Sequence, residues 1–172
     1  MNFLKTFLVS LVIYLGLNAL FVLLAVFLVP GYPSDVLYIV AAIFFPISIA
    51  PGEAWIGSGI VGLINAADIV IVLLTFLGLI IPPLVVVIVA SKLGDTNQTG
   101  FGAWFTTALV ACGVYAILLG VGQGASAFLA VEWFSLTALY GEVGAILAIF
   151  IAGVINGFFY GCISLLLANK WI

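Results

Sequence analysis

Histidine and arginine are absent from this 172-residue sequence, and charged residues of any kind make up only 5% of it. Without histidine the chain lacks the commonest metal ligand, the usual axial ligand of haem and the commonest general base. Three lysines against six acids give a net charge of -3, so no basic surface can neutralise phosphates. The composition therefore argues against nucleic-acid binding and against most redox or hydrolytic chemistry.

Cysteine is also scarce, and the sequence contains no catalytic signature. Cys112 and Cys162 both fall in apolar stretches, where a thiol is normally a small buried hydrophobic group. A phosphate-binding glycine loop, a metalloprotease motif, a nucleophile elbow and a paired-cysteine motif are all missing. We therefore expect no catalytic, cofactor-binding or metal-binding residues, no enzymatic activity by this chain alone, and no cofactor other than bound lipid.

What the sequence has in abundance is hydrophobic residues, at 67% of the chain. The mean hydropathy is +1.51. Soluble domains carry about 25% charged residues, and a soluble chain of this composition would expose large apolar patches. The composition predicts an all-α integral membrane protein in which residues 1–172 form a single transmembrane domain and the lipid bilayer is the main partner.

Four stretches exceed the roughly 20 residues that a helix needs to cross a bilayer, namely residues 4–29, 69–91, 101–121 and 143–168. The first is longer than the roughly 7–15 apolar residues of a signal peptide, so it is expected to be retained. Residues 36–50 with 54–67, and residues 124–140, are shorter and interrupted by proline, glycine or glutamate. They predict interfacial or re-entrant segments in a bundle of four transmembrane helices, and six crossings are the alternative.

The distribution of charges favours one orientation. With four crossings and a cytoplasmic N-terminus, Lys5, Lys92 and Lys170 all lie in the cytoplasm, joined only by Asp95. The remaining acids then lie outside: Asp35, Glu53, Asp68, Glu132 and Glu142. This predicts cytoplasmic N- and C-termini in the cytoplasmic membrane. A glycosylation motif at Asn97, in a predicted polar loop over residues 94–100, conflicts with this orientation and would reverse it if used.

The two halves of the chain, residues 1–95 and 98–172, suggest an internal repeat. Each half has a long helix, one of the shorter hydrophobic segments (here called an excursion) and a second long helix. Each excursion carries a glutamate closely followed by a tryptophan, at Glu53 and Glu132, and the halves end near Lys92 and Lys170. A parallel two-fold repeat is one hypothesis, and coincidence of position is the other.

Small residues recur every four positions in three places, which is typical of helices that approach one another closely in lipid. These predicted packing faces are Gly153, Gly157 and Gly161; Ala54, Ser58, Gly62 and Ala66; and Ala108, Cys112, Ala116 and Gly120. Contact among the helices of this chain is the favoured interpretation. Contact with a partner subunit or a second copy is the alternative.

Six polar residues are candidates for a transport site: Asp68, Glu53, Glu132, Glu142, Asn156 and Tyr160. Simpler roles are favoured for each. Asp68 suits the N-cap of the helix that follows it, and Glu142 suits the first turn of the last helix. Glu53 and Glu132 suit the membrane interface beside their tryptophans. Asn156 and Tyr160 suit hydrogen bonds between helices. The alternatives are an ion path, or convergence of Glu53 and Glu132 on a cation or a basic partner.

Two function classes fit these patterns. Scarce charges, short loops and small-residue faces favour a non-catalytic accessory subunit of a larger membrane complex. A small transporter or channel for an ion, a neutral or a lipophilic solute is the alternative, supported by the predicted helix kink at Pro82 and Pro83 and by the acids. The subunit is preferred because polar solutes normally need more buried polar lining, an objection that a lipophilic solute escapes.

Overall fold

A computed structural model describes residues 1–65 and 68–168, apart from the side chain of Ala168. The described chain is all-helical, without strands. Two residues of the predicted features, Ala66 and Lys170, lie outside it. The helices are α1 (Phe3–Leu28), α2 (Val36–Phe44), a 3-10 turn (Phe45–Ser48), a π-helical segment (Glu53–Val61), α3 (Gly62–Ile64), α4 (Ile69–Leu93), α5 (Asn97–Gly122) and α6 (Ala127–Ala168).

Short polar side chains start four of the helices. Asn2 caps α1, Asp35 caps α2, Asp68 caps α4 and Thr96 caps α5, and each side-chain oxygen accepts a hydrogen bond from a backbone N–H of the first turn. Asp68 accepts from the Val70 N–H at 2.9 Å. Such caps satisfy backbone donors that have no partner inside the helix. The N-cap interpretation of Asp68 is confirmed.

Four helices, α1, α4, α5 and α6, are long and apolar enough to cross a membrane, and the count is five if the bent segment between α1 and α4 is one span. α4 begins at Ile69, as predicted. α5 begins earlier than predicted, because Thr96 caps it and Asn97 already lies in its first turn. The predicted polar loop over residues 94–100 is therefore wrong. α4 stays helical through Pro82 and Pro83, which are both buried, and the kink stays a prediction.

α6 is interrupted at Gly141, whose φ of 70° and ψ of 169° are not helical. Glycine adopts this conformation readily because it has no Cβ. The part of α6 before the break spans about 21 Å at 1.5 Å per residue, less than the roughly 30 Å of a bilayer core. The separation of residues 124–140 from the last long helix is thus confirmed, and exposed Glu142 follows the break as the expected first-turn acid.

The other predicted excursion forms a bent segment, in which Val36–Ser48 and Glu53–Ile64 meet at 105°. Proline favours the bend, since Pro46 lies in the 3-10 turn and Pro51 follows it. The excursion of the second half is instead one helix up to Gly141. The two excursions therefore differ in structure, and the internal repeat stays a hypothesis.

The N-terminus lies beside the connection between α4 and α5. The Met1 ammonium donates to the Leu93 carbonyl at 2.7 Å, and the Asp95 N–H donates to the Met1 carbonyl at 3.1 Å. These bonds place Lys5 and Lys92 at the same end of the bundle, as the charge pattern predicts. Which side of a membrane this end faces stays a prediction.

α5 is the central helix and packs against α1, α2, α4 and α6. Its Trp104 is fully buried, and so are Ala108 and Cys112 of the predicted small-residue face, with Ala116 almost so. Gly120 of that face lies near the Trp133 ring. Small side chains on α5 therefore let the surrounding helices come close, as expected for association without a hydrophobic driving force.

The glycines of α6 face α5. A methyl group on Gly157 would overlap the ring of Phe105, and one on Gly161 would overlap the ring of Phe101. Gly153 similarly meets the side chain of Cys112. These contacts lie within the chain, in agreement with the favoured interpretation of this face.

The π-helical segment follows a different spacing from the predicted one. Ala54 is buried against Leu79 and Ile80, and Gly59 is buried against the ring of Phe76. These two residues are five positions apart, because a π-helix bonds residue i to residue i+5. Ser58 and Gly62, which the four-residue spacing selected, are only partly buried.

Candidate binding cavity

A cavity of about 290 Å³ lies between α1, the bent segment, α4, α5 and the start of α6. It is at the end of the bundle opposite the N-terminus, since it uses the last turns of α1 and the first half of α4. Its volume is at the lower end of the range of about 300–1,000 Å³ that is usual for small-molecule sites. Most of its lining is apolar, including Phe21, Ala42, Phe45, Leu74 and Leu79.

Five polar residues interrupt this lining: Tyr32, Tyr38, Thr75, Tyr115 and Glu132. The rings of Tyr32 and Tyr38 meet edge to face with centroids 6.0 Å apart. Tyr115 is buried and meets Phe45 edge to face at 5.7 Å. Glu132 is partly buried and acts electrostatically on both Tyr38 and Tyr115. Tyr38 and Tyr115 therefore lie near one carboxylate in an otherwise apolar cavity.

Among the described residues of this lining, Glu132 is the only one whose side chain is an acid or base of the Asp, Glu, Lys or Arg kind. Burial, with a smaller contribution from nearby Tyr38, raises the pKa of Tyr32 to about 12. The Tyr32 phenol is neutral at pH 7, as an ordinary phenol already is, and burial keeps it neutral to higher pH. Of the lysines that the structure describes, Lys5 and Lys92 lie at the other end of the bundle.

Asp35 connects the start of α2 to the start of α6 next to the cavity. The Ser126 hydroxyl donates to this carboxylate, and the Leu37 N–H donates to it at 2.9 Å. These hydrogen bonds hold the pKa of Asp35 below its usual range, because they favour the charged form.

Asn156, a sequence-predicted site residue, holds the bent segment. Its Nδ2 donates to the carbonyls of Ile47 and Ile49, at 2.9 and 2.8 Å, and lies 3.1 Å from the Ala152 carbonyl. A carboxamide has two N–H donors, so the two shortest bonds account for both. The Ile47 and Ile49 carbonyls at the bend thus accept hydrogen bonds from a buried side chain of α6.

A row of buried polar side chains also runs along α1, at the four-residue spacing of one helix face: Thr6, Ser10, Tyr14 and Asn18. Trp104 lies between Tyr14 and Tyr160, with ring centroids 5.7 and 5.9 Å away. Its indole N–H donates to the Asn156 carbonyl at 3.2 Å. In the part of the chain that the structure describes, five residues here have side-chain polar atoms without a hydrogen-bond partner: Ser10, Tyr14, Asn18, Tyr160 and Ser164.

The cavity brings together few of the predicted acids. Glu132 lines it, whereas Glu53 is exposed on the π-helical segment and is not part of the lining. Asp68 and Glu142 are exposed at helix starts. The structure thus places one of the two Trp-adjacent glutamates, without the other, at a site suited to binding.

Four residues of the lining were not predicted from the sequence as site residues: Tyr32, Tyr38, Thr75 and Tyr115. They come from four separate elements, so no local spacing connects them. A usable signal is that Tyr32 and Tyr38 flank the polar turn before α2, which breaks the apolar run.

Across residues 1–65 and 68–168, no group of three His, Cys, Asp or Glu side chains could hold a metal ion. Cys112 is buried and Cys162 is exposed, and both are free thiols. The cavity is accordingly the feature best suited to a ligand. No family model, no curated protein and no solved structure matches this chain.

Proposed function

We propose that this protein lies in a lipid bilayer and there binds a lipophilic small molecule, as a small carrier or transporter would. Its surface supports the membrane location, because large apolar side chains point outward: Phe27 is 82% exposed, Val121 78% and Leu139 75%. The polar Ser10 and Asn18 are buried instead. Exposing these apolar side chains to water would cost free energy, whereas lipid is an apolar solvent for them.

The cavity is the single observation that carries the binding function. It is apolar enough to accept a molecule from the bilayer, and a few polar groups, Glu132 among them, interrupt its lining, which is typical of sites that orient a ligand. Asn156 supports this site indirectly, since it holds the bent segment that supplies Ala42 and Phe45 to the wall. A lipophilic solute does not require the extensive polar lining that an ion path needs.

An accessory subunit remains the other proposal. One argument for it was the glycine face of α6, and that face already packs on α5. The remaining arguments are the short loops and the exposed apolar surface, which any small membrane protein shares. The two proposals differ in what purification in mild detergent should recover, either stoichiometric partner chains or a protein that binds solute alone.

Saturable labelling tests the binding function. The purified protein in liposomes is exposed to a small lipophilic diazirine alcohol, irradiated, and digested for mass spectrometry. We expect saturable labelling of peptides from the cavity wall, beside labelling of lipid-facing residues that rises with probe concentration without saturating. Substituting Ala42→Phe fills the cavity and should abolish the saturable component.

Val40 provides the matched control, because it lies on the same helix and is 38% exposed outside the lining. Val40→Phe adds a similar ring and should leave the saturable labelling unchanged. Wild-type protein without any saturable component would refute the binding function. Recovery of stoichiometric partner chains together with that result would favour the accessory subunit.

A further inference from the structure

We propose that the molecule held in this cavity is a lipophilic amine, with an apolar body among the aliphatic and aromatic residues and one ammonium group at Glu132. This inference rests on the proposed binding function and specifies its ligand class. It follows from the charge, the aromatic rings and the polar groups of the lining, taken in turn below.

The charge of the lining favours a cationic ligand. Among the residues that the structure describes, the lining contains one carboxylate and neither lysine nor arginine. Glu132 is partly buried, and a carboxylate in apolar surroundings is costly unless a cation or hydrogen-bond donors pair with it. Lys5 and Lys92, the described lysines, lie at the opposite end of the bundle and cannot reach it. An ammonium group supplies the missing charge.

Aromatic rings select the same group. Phe45, Tyr32, Tyr38 and Tyr115 all line the cavity, and Tyr115 and Tyr38 are the two tyrosines on which Glu132 acts electrostatically. The face of an aromatic ring attracts a cation within about 6 Å of its centroid, and more strongly where water is excluded. A carboxylate near two tyrosines, in a cavity lined by further aromatic side chains, is therefore suited to an ammonium ion. An anionic lipid or fatty acid would place like charges together.

The apolar part of the lining determines the chemistry of the rest of the ligand. Phe21, Leu74 and Leu79, from α1 and α4, offer no hydrogen-bond donor or acceptor through their side chains. A polar body would lose its hydration there without compensation. The ligand class is thus an amine with a hydrocarbon body, in contrast to a sugar, a nucleotide or a free inorganic cation.

Two diazirine probes with the same hydrocarbon body test this, one ending in a primary amine and the other in an alcohol. In wild-type protein in liposomes we expect the amine to label cavity peptides at a half-saturating concentration at least tenfold lower than the alcohol. The alcohol can also donate a hydrogen bond to Glu132, so this preference reports the positive charge of the ammonium group, and tenfold corresponds to about 1.4 kcal/mol. Glu132→Gln should remove this preference.

Glu53→Gln is the matched control, since it removes a carboxylate that is exposed and outside the lining. It should keep the amine preference in full. Retained saturable labelling of Glu132→Gln by the alcohol probe shows that this variant still folds. Competition between the two probes on the wild-type protein measures the preference without any substitution.

The outcomes separate the two proposals. If both probes label the cavity saturably and with equal affinity in wild type, the amine class is refuted and the binding function stands. A preference for the amine that survives in Glu132→Gln refutes the role of Glu132. If neither probe labels saturably, the proposed function fails and the ligand class fails with it.

Discussion

Replacing Asn156 with leucine should destabilise the bent segment, because Asn156 is the side chain that satisfies its backbone. Leucine fills a comparable space in this buried position but donates no hydrogen bond. The carbonyls of Ile47 and Ile49 would lose donors that now lie 2.9 and 2.8 Å away. Neither carbonyl could turn to water without opening the contact between the bent segment and α6.

The expected loss follows from these two bonds. A buried polar group left without a partner costs about 1–3 kcal/mol. The Ile47 carbonyl would keep the weak contact with the Cys112 thiol at 4.0 Å, so we expect a loss of about 1–3 kcal/mol in free energy of unfolding, mainly from the Ile49 carbonyl. Tyr14→Phe is the matched control in the same bundle core. The Tyr14 hydroxyl is buried and has no hydrogen-bond partner among the described residues, so its removal should be neutral or stabilising.

Unfolding of the purified variants in detergent micelles, followed by tryptophan fluorescence, measures this difference. Hydrogen exchange at the backbone of residues 47–52 locates it, and we expect faster exchange there in Asn156→Leu than in Tyr14→Phe. Equal stability of the two variants, with equal exchange at the bend, would refute the reasoning. Asn156 would then contribute no more than an unpartnered hydroxyl.

Two further predictions concern packing and pH. Gly153→Ala should lower the free energy of unfolding by about 1–3 kcal/mol, because the added methyl overlaps the Cys112 side chain. Gly113→Ala, whose methyl would lie 3.9 Å from the Phe150 ring, should be neutral or stabilising by up to about 1 kcal/mol in the same assay. Ser126→Ala should raise the pKa of Asp35 toward its ordinary value, since the Ser126 hydroxyl is the main cause of its lowering. A carboxyl with a lowered folded-state pKa stabilises the fold above its unfolded pKa of about 3.9 and loses this contribution as pH falls further. Unfolding measured from pH 6 to pH 2 should therefore show a smaller loss in Ser126→Ala than in wild type, and parallel curves would contradict this.

Local properties of the chain determined the four long helices. Hydropathy and length identify residues 4–29, 69–91, 101–121 and 143–168. The first three described helices differ from these ranges by a few residues at their ends, and the part of α6 after Gly141 corresponds to the fourth. Asp68 could be recognised as an N-cap because capping involves only the next turn of the same chain. Gly141 could be recognised as a boundary because it follows a stretch too short to cross a bilayer. These features require no knowledge of a distant residue.

Spacing patterns were less informative where the helix type changed. The four-residue rule selected Gly153, Gly157 and Gly161 correctly as a contact face, since α6 is an α-helix there. In the π-helical segment the same rule selected Ala54, which is buried, but did not select Gly59, the other buried residue. Ser58 and Gly62, which it did select, are only partly buried. A π-helix depends on how the segment packs and on its neighbours, so composition alone did not reveal it.

Only the tertiary structure decided which polar residues belong together. Glu53 and Glu132 have the same sequence context beside a tryptophan, yet only Glu132 faces the cavity with Tyr38 and Tyr115. Asn156 bonds to a carbonyl 109 residues away, at Ile47. Hydropathy and capping act over a few residues and can be recognised in a sequence, whereas a cavity depends on how separate helices cross, which no single segment specifies.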